Sequence, residues 1–174
     1  MTNKEINLPK PEKTGGIPLM EALSKRKTSR DFSNSKNLTP QQLSNLLWAM
    51  WGINREDGRK TAPSAKNWQA IDLYIIKPEA TYKYNSKNHS LELIINEDVR
   101  NIAGSQDFSQ EALLNILLIS NLNLIEKVEE NDIMLTAMAD AGFICQNAYL
   151  YCASEDIKCV SRLRLDRNII IKTL

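Results

Sequence analysis

The chain has 174 residues, 43% of them hydrophobic and 25% charged, with a net charge of +1 at neutral pH. That length buries a real core, and that balance points away from nucleic acid and membrane surfaces as partners. No apolar run reaches bilayer-spanning length and no signal-type apolar stretch opens the chain, so the expectation is a cytoplasmic protein, or an exported one if a leader was removed before residue 1.

Charge is segregated along the chain. Residues 1–30 carry seven Lys/Arg against three acids, residues 101–156 nine acids against one base, and residues 157–174 five bases against one acid. Two basic ends around an acidic middle suit either one anionic ligand or a joint between subunits. Cys145, Cys152 and Cys159 are odd in number and evenly spaced by seven. Without a CxxC, and with only His89 for company, they read as small buried hydrophobes rather than metal ligands.

Residues 1–17 read as an extended arm and residues 18–174 as one domain. Pro18 to Lys25 reads as a short helix with Met20 and Leu23 turned inward. It runs into Lys25-Arg26-Lys27-Thr28-Ser29-Arg30. Two guanidinium forks with two hydroxyls between them suit a phosphate monoester, although a solvated basic patch at a helix end has the same composition. There is no GxxxxGK[ST] nucleotide loop.

Thr39, Pro40 and Gln42 form a capping box with proline at the first helical position, and Leu43, Leu46, Leu47 and Met50 follow at helical spacing. Trp48 and Trp51 read as core or interface residues, and Gly52 closes the helix. A charged loop, Asn54 to Lys60, leads into Thr61-Ala62-Pro63-Ser64-Ala65. Small residues there admit a close ligand, and the amides of Asn67 and Gln69 match the alternating donors and acceptors of a flat heterocycle such as a flavin edge. An ordinary helix-to-strand loop fits the same residue types.

Ile71 to Lys77 reads as a strand. Thr81–Tyr84 and Leu91–Asn96 flank a hairpin turn, with His89 solvated beside it. Asp98 to Ala103 reads as a short helix before Gly104. The apolar run from Leu113 to Leu122 predicts a central strand covered on both faces. Asp132 to Ser154 predicts the longest helix, with Ile133, Ala137, Ala141, Ile144, Ala148 and Cys152 in one stripe. Asp140, Gln146 and Asn147 are expected to make structural hydrogen bonds. Cys159 to Arg162 reads as a short strand, and Asp166 opens a last helix. The sum is a mixed α+β sheet with helices on it.

RKTSR, TAPSAKNWQ and DAGFICQNAYLYCAS, in that order, together resemble the nitroreductase family of FMN-dependent oxidoreductases, nearest to its SagB-type dehydrogenase branch. The likeness spans about Pro18 to Asp166. It implies a homodimer with the long helix at the interface and FMN bound between subunits. It assigns the FMN phosphate and ribityl tail to Arg26, Lys27, Thr28 and Arg30, and the ring to Pro63, Ser64, Ala65 and Asn67, some of these reaching the other subunit's flavin. Where family members have a Gly near the flavin this chain has Ser161-Arg162-Leu163, so Arg162 and Leu163 are also expected at the cofactor. Family members usually continue past the last helix, so the chain reads as short at its C-terminus. The implied reaction carries electrons from NADH or NADPH through FMN to a nitro, quinone or similar small-molecule acceptor. A flavin binder without turnover, or a non-enzymatic interaction module, are the alternatives. No acid–base residue and no metal are expected.

Overall fold

Capping chemistry sets the first long helix. In the computed structural model, which describes residues 5–32, 37–104, 106, 108–125, 129–163 and 165–174, Thr39 caps helix α2 (Pro40–Trp51) and exchanges both capping-box bonds with Gln42. Removing the cap by Thr39→Ala is expected to cost about 1 kcal/mol, a drop of about 2–4 °C in Tm at this chain length, measurable by differential scanning calorimetry. Gly52 ends the helix with φ −75°, an ordinary backbone angle. Its role is close packing, because a Cβ there would sit 2.2 Å from the Trp48 ring.

Helix α1 (Leu19–Lys25) precedes α2, and helix α4 (Glu130–Ser154) packs against both. The chain also forms α3 (Phe108–Glu111) and a five-stranded sheet: β1 (Glu5–Asn7), which precedes α1, and β2 (Ile71–Ile76), β3 (Thr81–Asn85), β4 (Ser90–Ile95) and β5 (Asn115–Ser120). Helix α5 (Arg167–Thr173) follows, with the Asp166 carboxylate accepting from the Asn168 and Ile169 amides. The strand order is β1-β4-β3-β2-β5 and every pairing is antiparallel. This is an α+β architecture, as the element order in the sequence predicts.

The period-2 alternation of β2 divides its side chains between two cores. Leu73 and Ile75 meet Leu47 and Met50 of α2 and Ile144 of α4, all at most 2% exposed. Ile76 turns to the other face, with Ile102, Ala103 and Leu117, under Leu165, Ile170 and Leu174. Each such side chain contributes about 1.5–3 kcal/mol on burial.

Five expectations change. Glu5–Asn7 is a strand rather than free arm, with Ile6 opposite Leu91. Ala22 is the buried residue of α1, whereas Met20 and Leu23 are 75% and 43% exposed; a seven-residue helix has room for one contact line, and α4 takes the alanine side. β5 is covered on both faces but stands at the sheet edge, not its centre. Residues 159–162 form no strand: side chains rather than a backbone ladder hold them. His89 is half-buried, not solvated, because the arm and α2 close over the hairpin. Ser44 donates to the Pro9 carbonyl, so the His89 Nε2–H donates to Ser44 Oγ at 2.7 Å and Tyr84 donates to Nδ1 at 2.9 Å. Burial holds its pKa below the usual imidazole value, which keeps this chain of bonds intact at neutral pH.

Candidate flavin site

The basic run leaves α1 and crosses the outer face of α4. Arg26 stacks over the Tyr149 ring, its guanidinium carbon 5.3 Å from the centroid. Thr28 Oγ1 lies 3.1 Å from the Tyr149 hydroxyl. The same hydroxyl accepts the Ser161 N–H at 2.8 Å. The Ser29 N–H donates to the Cys159 carbonyl, and Lys158 pairs with Asp31. Tyr149 therefore joins two segments more than a hundred residues apart, one basic and one the return from α4. Lys27, Thr28 and Arg30 are exposed and Arg26 half-buried. Among the described residues no carboxylate pairs with Arg26, Lys27 or Arg30. Neighbouring cations left without acids raise the local potential for an anion.

The second segment is held by an acid. Asp140 is 3% exposed, and its carboxylate accepts the Ala65 N–H at 3.1 Å. Ser64 Oγ accepts the Gln69 N–H at 2.8 Å. Between these anchors Lys66, Asn67 and Gln69 take φ of 48°, 55° and 51°. Left-handed backbone at three non-glycine residues costs free energy and persists where the surroundings enforce it, commonly at ligand sites. Pro63, Lys66 and Asn67 project into solvent. The two amides of the sequence motif do not face outward as a pair: Gln69 Nε2 donates to Asn67 Oδ1 and to the Gly58 carbonyl.

Within one chain the two segments do not meet. Asp140 and Tyr149 are nine residues apart on α4. That is two and a half turns, so they point to opposite faces and lie about 14 Å apart along the axis. Two clefts of about 270 and 430 Å³ lie elsewhere, one beside Lys60, Asp72 and Lys83, the other between Asn101, Leu165 and Arg167.

The third expected group divides. Leu163 is 75% exposed. Arg162 turns inward, donates to Asn115 Oδ1 at 2.9 Å and lies over Gly104, where a Cβ would come within 2.1 Å of its guanidinium. Burial lowers its pKa. Its side chain ties the return segment to β5.

Sequence reading expects a structural hydrogen bond of Asp140, which the Ala65 N–H supplies, and gives Tyr149 no role. Asp140 had a signal, since an acid at i+3 from Ala137 and i−4 from Ile144 lies on the buried stripe and needs a partner. Tyr149 had none. The structural role expected of Asn147 holds: it donates to the Ala49 carbonyl.

Lys60 is an outlier beside this loop. It lies over the Trp51 ring, 4.4 Å from the centroid, and donates to Ser86. Burial pushes its pKa down to about 8, against a smaller upward pull from Asp72. Trace acetylation followed by peptide mass spectrometry is expected to show Lys60 labelling with a midpoint near pH 8, below the ordinary lysine range. Unfolded Lys60 binds its proton more tightly, so this group makes stability rise with pH between about 8 and the unfolded value.

Comparison with known proteins gives this geometry its class. A crystal structure of a provisionally named nitroreductase from Ralstonia eutropha JMP134 superposes with a TM-score of 0.91 at 38% identity, covering 97% of this chain and 80% of that one. The Escherichia coli microcin synthetase McbBCD complex with truncated pro-MccB17 bound shares the fold alone, with a TM-score of 0.65 at 15% identity over 95% of this chain and 69% of that one. A protein of Methanocaldococcus jannaschii, also provisionally named a nitroreductase, is 30% identical over 167 residues, 90% of this chain and 82% of that protein. Residues 23–174 match the family model described as Nitroreductase family. The chain belongs to the nitroreductase family, and its general class is that of flavin-dependent oxidoreductases.

Proposed function

We propose that this protein binds FMN and oxidises NADH or NADPH, delivering the electrons to a nitro, quinone or similar acceptor, and that it works as a homodimer. The observation that carries the proposal is the Tyr149-anchored basic run, with Arg26, Lys27 and Arg30 facing no acid among the described residues. Its donor set fits a phosphate monoester: two guanidinium forks, an ammonium and the Thr28 hydroxyl. The loop from Pro63 to Asn67, with its left-handed backbone and small side chains, suits the edge of a planar ring.

A dimer supports both halves at once. Because the two segments lie on opposite faces of α4, a second chain lets the basic run of one subunit meet the ring-binding loop of the other. Met134, Leu135 and Met138, within about 100° of one another around α4, are 46–67% exposed. An apolar face of that extent on a long helix fits a subunit interface.

Bound FMN supplies the hydride and electron transfer. The chain's own residues hold the phosphate, orient the ring and shield the pocket from water. Arg162 and Leu163 contribute differently from each other in this reading: the Arg162 side chain braces β5, while backbone around Leu163 approaches the cofactor.

The test is an absorption spectrum after incubation with FMN and desalting, read before and after anaerobic addition of NADPH, then NADH. A retained flavin band that bleaches is the expected result. A retained band that neither donor bleaches replaces the enzyme by a flavin binder without turnover. A colourless protein removes the cofactor assignment.

A further inference from the structure

The charged loop after α2 folds back on the helix that precedes it. Gly58, with φ 79°, turns the chain, and the Asn54 N–H donates to the Arg59 carbonyl at 3.1 Å. Ile53 and Lys60 are thereby bridged antiparallel, and the Thr61 N–H returns to the Gly52 carbonyl at 2.9 Å. The bridge lays the Lys60 side chain over Trp51, the last residue of α2. Its Nζ reaches Ser86 Oγ of the β3–β4 turn at 3.0 Å.

Trp48 and Trp51 differ in one respect. The Trp48 Nε1–H donates to the Ile53 carbonyl at 3.1 Å. Trp51 is 2% exposed, and its Nε1–H has no acceptor among the described residues. Buried donors are almost always paired, so this one marks a place where an acceptor belongs. Trp51 and Lys60 together line the cleft of about 270 Å³ between the end of α2 and the β3–β4 hairpin.

The rest of the lining decides the charge and size of a ligand. Lys60, Lys83 and Lys87 face the cleft with Asp72 and Glu92, leaving one positive charge in excess. Both acids are already engaged, Asp72 by Lys83 at 2.8 Å and Glu92 by Asn85 Nδ2 at 2.7 Å. The Lys60 ammonium keeps two hydrogens beyond the one given to Ser86, and the Ser86 hydroxyl keeps its own.

We propose that this cleft is a binding site for a small monocarboxylate, whose oxygens accept from the Lys60 ammonium, the Ser86 hydroxyl and the Trp51 indole N–H. One negative charge balances the lining. A phosphate dianion brings a second charge against Asp72 and Glu92. The volume falls below that of pockets for drug-sized ligands, which selects an acid of a few carbons. Lys60 remains mostly charged at neutral pH, with its pKa at about 8, and a bound carboxylate holds it higher. Neither the Arg26–Arg30 run nor the Pro63–Asn67 loop lines the cleft, so the site stands apart from the flavin reading.

The experiment uses the full chain labelled with heavy nitrogen. Proton–nitrogen correlation spectra resolve the indole N–H groups of its three tryptophans, and Trp51→Phe assigns one of them. Sodium acetate is titrated against sodium chloride at constant ionic strength. The expected result is a saturable downfield shift of the Trp51 indole proton in the millimolar range, with the Trp48 and Trp68 signals unmoved. In the unsubstituted chain, acetate is also expected to move the Lys60 acetylation midpoint upward from about 8. Lys60→Gln is expected to weaken the titration about tenfold, the loss of one charge-assisted bond. A Trp51 signal fixed throughout the range, or a shift shared by all three indoles, would overturn the proposal. So would phosphate acting as strongly as acetate, an unmoved Lys60 midpoint, or an undiminished titration in Lys60→Gln.

Discussion

A chain carrying Arg26→Ala and Arg30→Ala is expected to bind FMN about 10²- to 10⁴-fold more weakly while keeping its fold. Each guanidinium contributes a charge-assisted bond of about 1.5–3 kcal/mol, and every 1.4 kcal/mol is about tenfold in Kd. Neither side chain belongs to a core. Arg30 is exposed, and Arg26 stacks on Tyr149, a contact worth about 0.5–1 kcal/mol at such a site. The loss should therefore appear in flavin titration and scarcely in Tm. Riboflavin, which lacks the phosphate, provides the control, since its affinity should not change. Equal losses for FMN and riboflavin would move the two arginines from the phosphate to the ring. An unchanged FMN affinity would remove them from the site.

Asp140→Ala has the opposite profile. It removes a buried acceptor and leaves the Ala65 N–H without its partner. A hydrogen bond to a charged group is worth about 1.5–3 kcal/mol, which corresponds to roughly 5–10 °C in Tm. The loop it tethers holds Lys66, Asn67 and Gln69 in left-handed backbone, and a loosened loop should relax that strain and lose grip on the flavin ring. Both Tm and FMN affinity are expected to fall. Asp140→Asn keeps an acceptor oxygen and should recover most of each. A fall in Tm with FMN affinity intact would make the loop a structural connection only.

Local signals in the sequence carried far. The Thr39-Pro40-Gln42 box, the helix behind it, the β2 alternation and the β3–β4 hairpin are all written in residues that touch within a few positions. Motif composition also singled out the basic run and the Pro63 loop, whose place at a cofactor is the proposal made above. What the sequence concealed was every relation that depends on distant partners. Met20 and Leu23 have helical spacing, but spacing does not distinguish a core from a surface awaiting another chain. The apolar run of β5 reports two covered faces and says nothing of its place in the strand order. His89 is isolated in sequence and enclosed in space because Ser44 and the arm close over it. The cysteine spacing of seven says nothing of the reversal at Asp156, where the Ile157 N–H donates back to the Cys152 carbonyl.

The half-rotation between Asp140 and Tyr149 has a genetic consequence. If each flavin is shared, the Arg26→Ala/Arg30→Ala chain spoils the phosphate half of one site, and the Asp140→Ala chain spoils the ring half. In a mixed dimer both lesions fall in the same site, and the other is assembled from two intact halves. Two inactive alleles expressed together should then complement, restoring up to half a site per chain in the mixed dimers, whereas lesions sharing one pocket within a single chain would restore nothing.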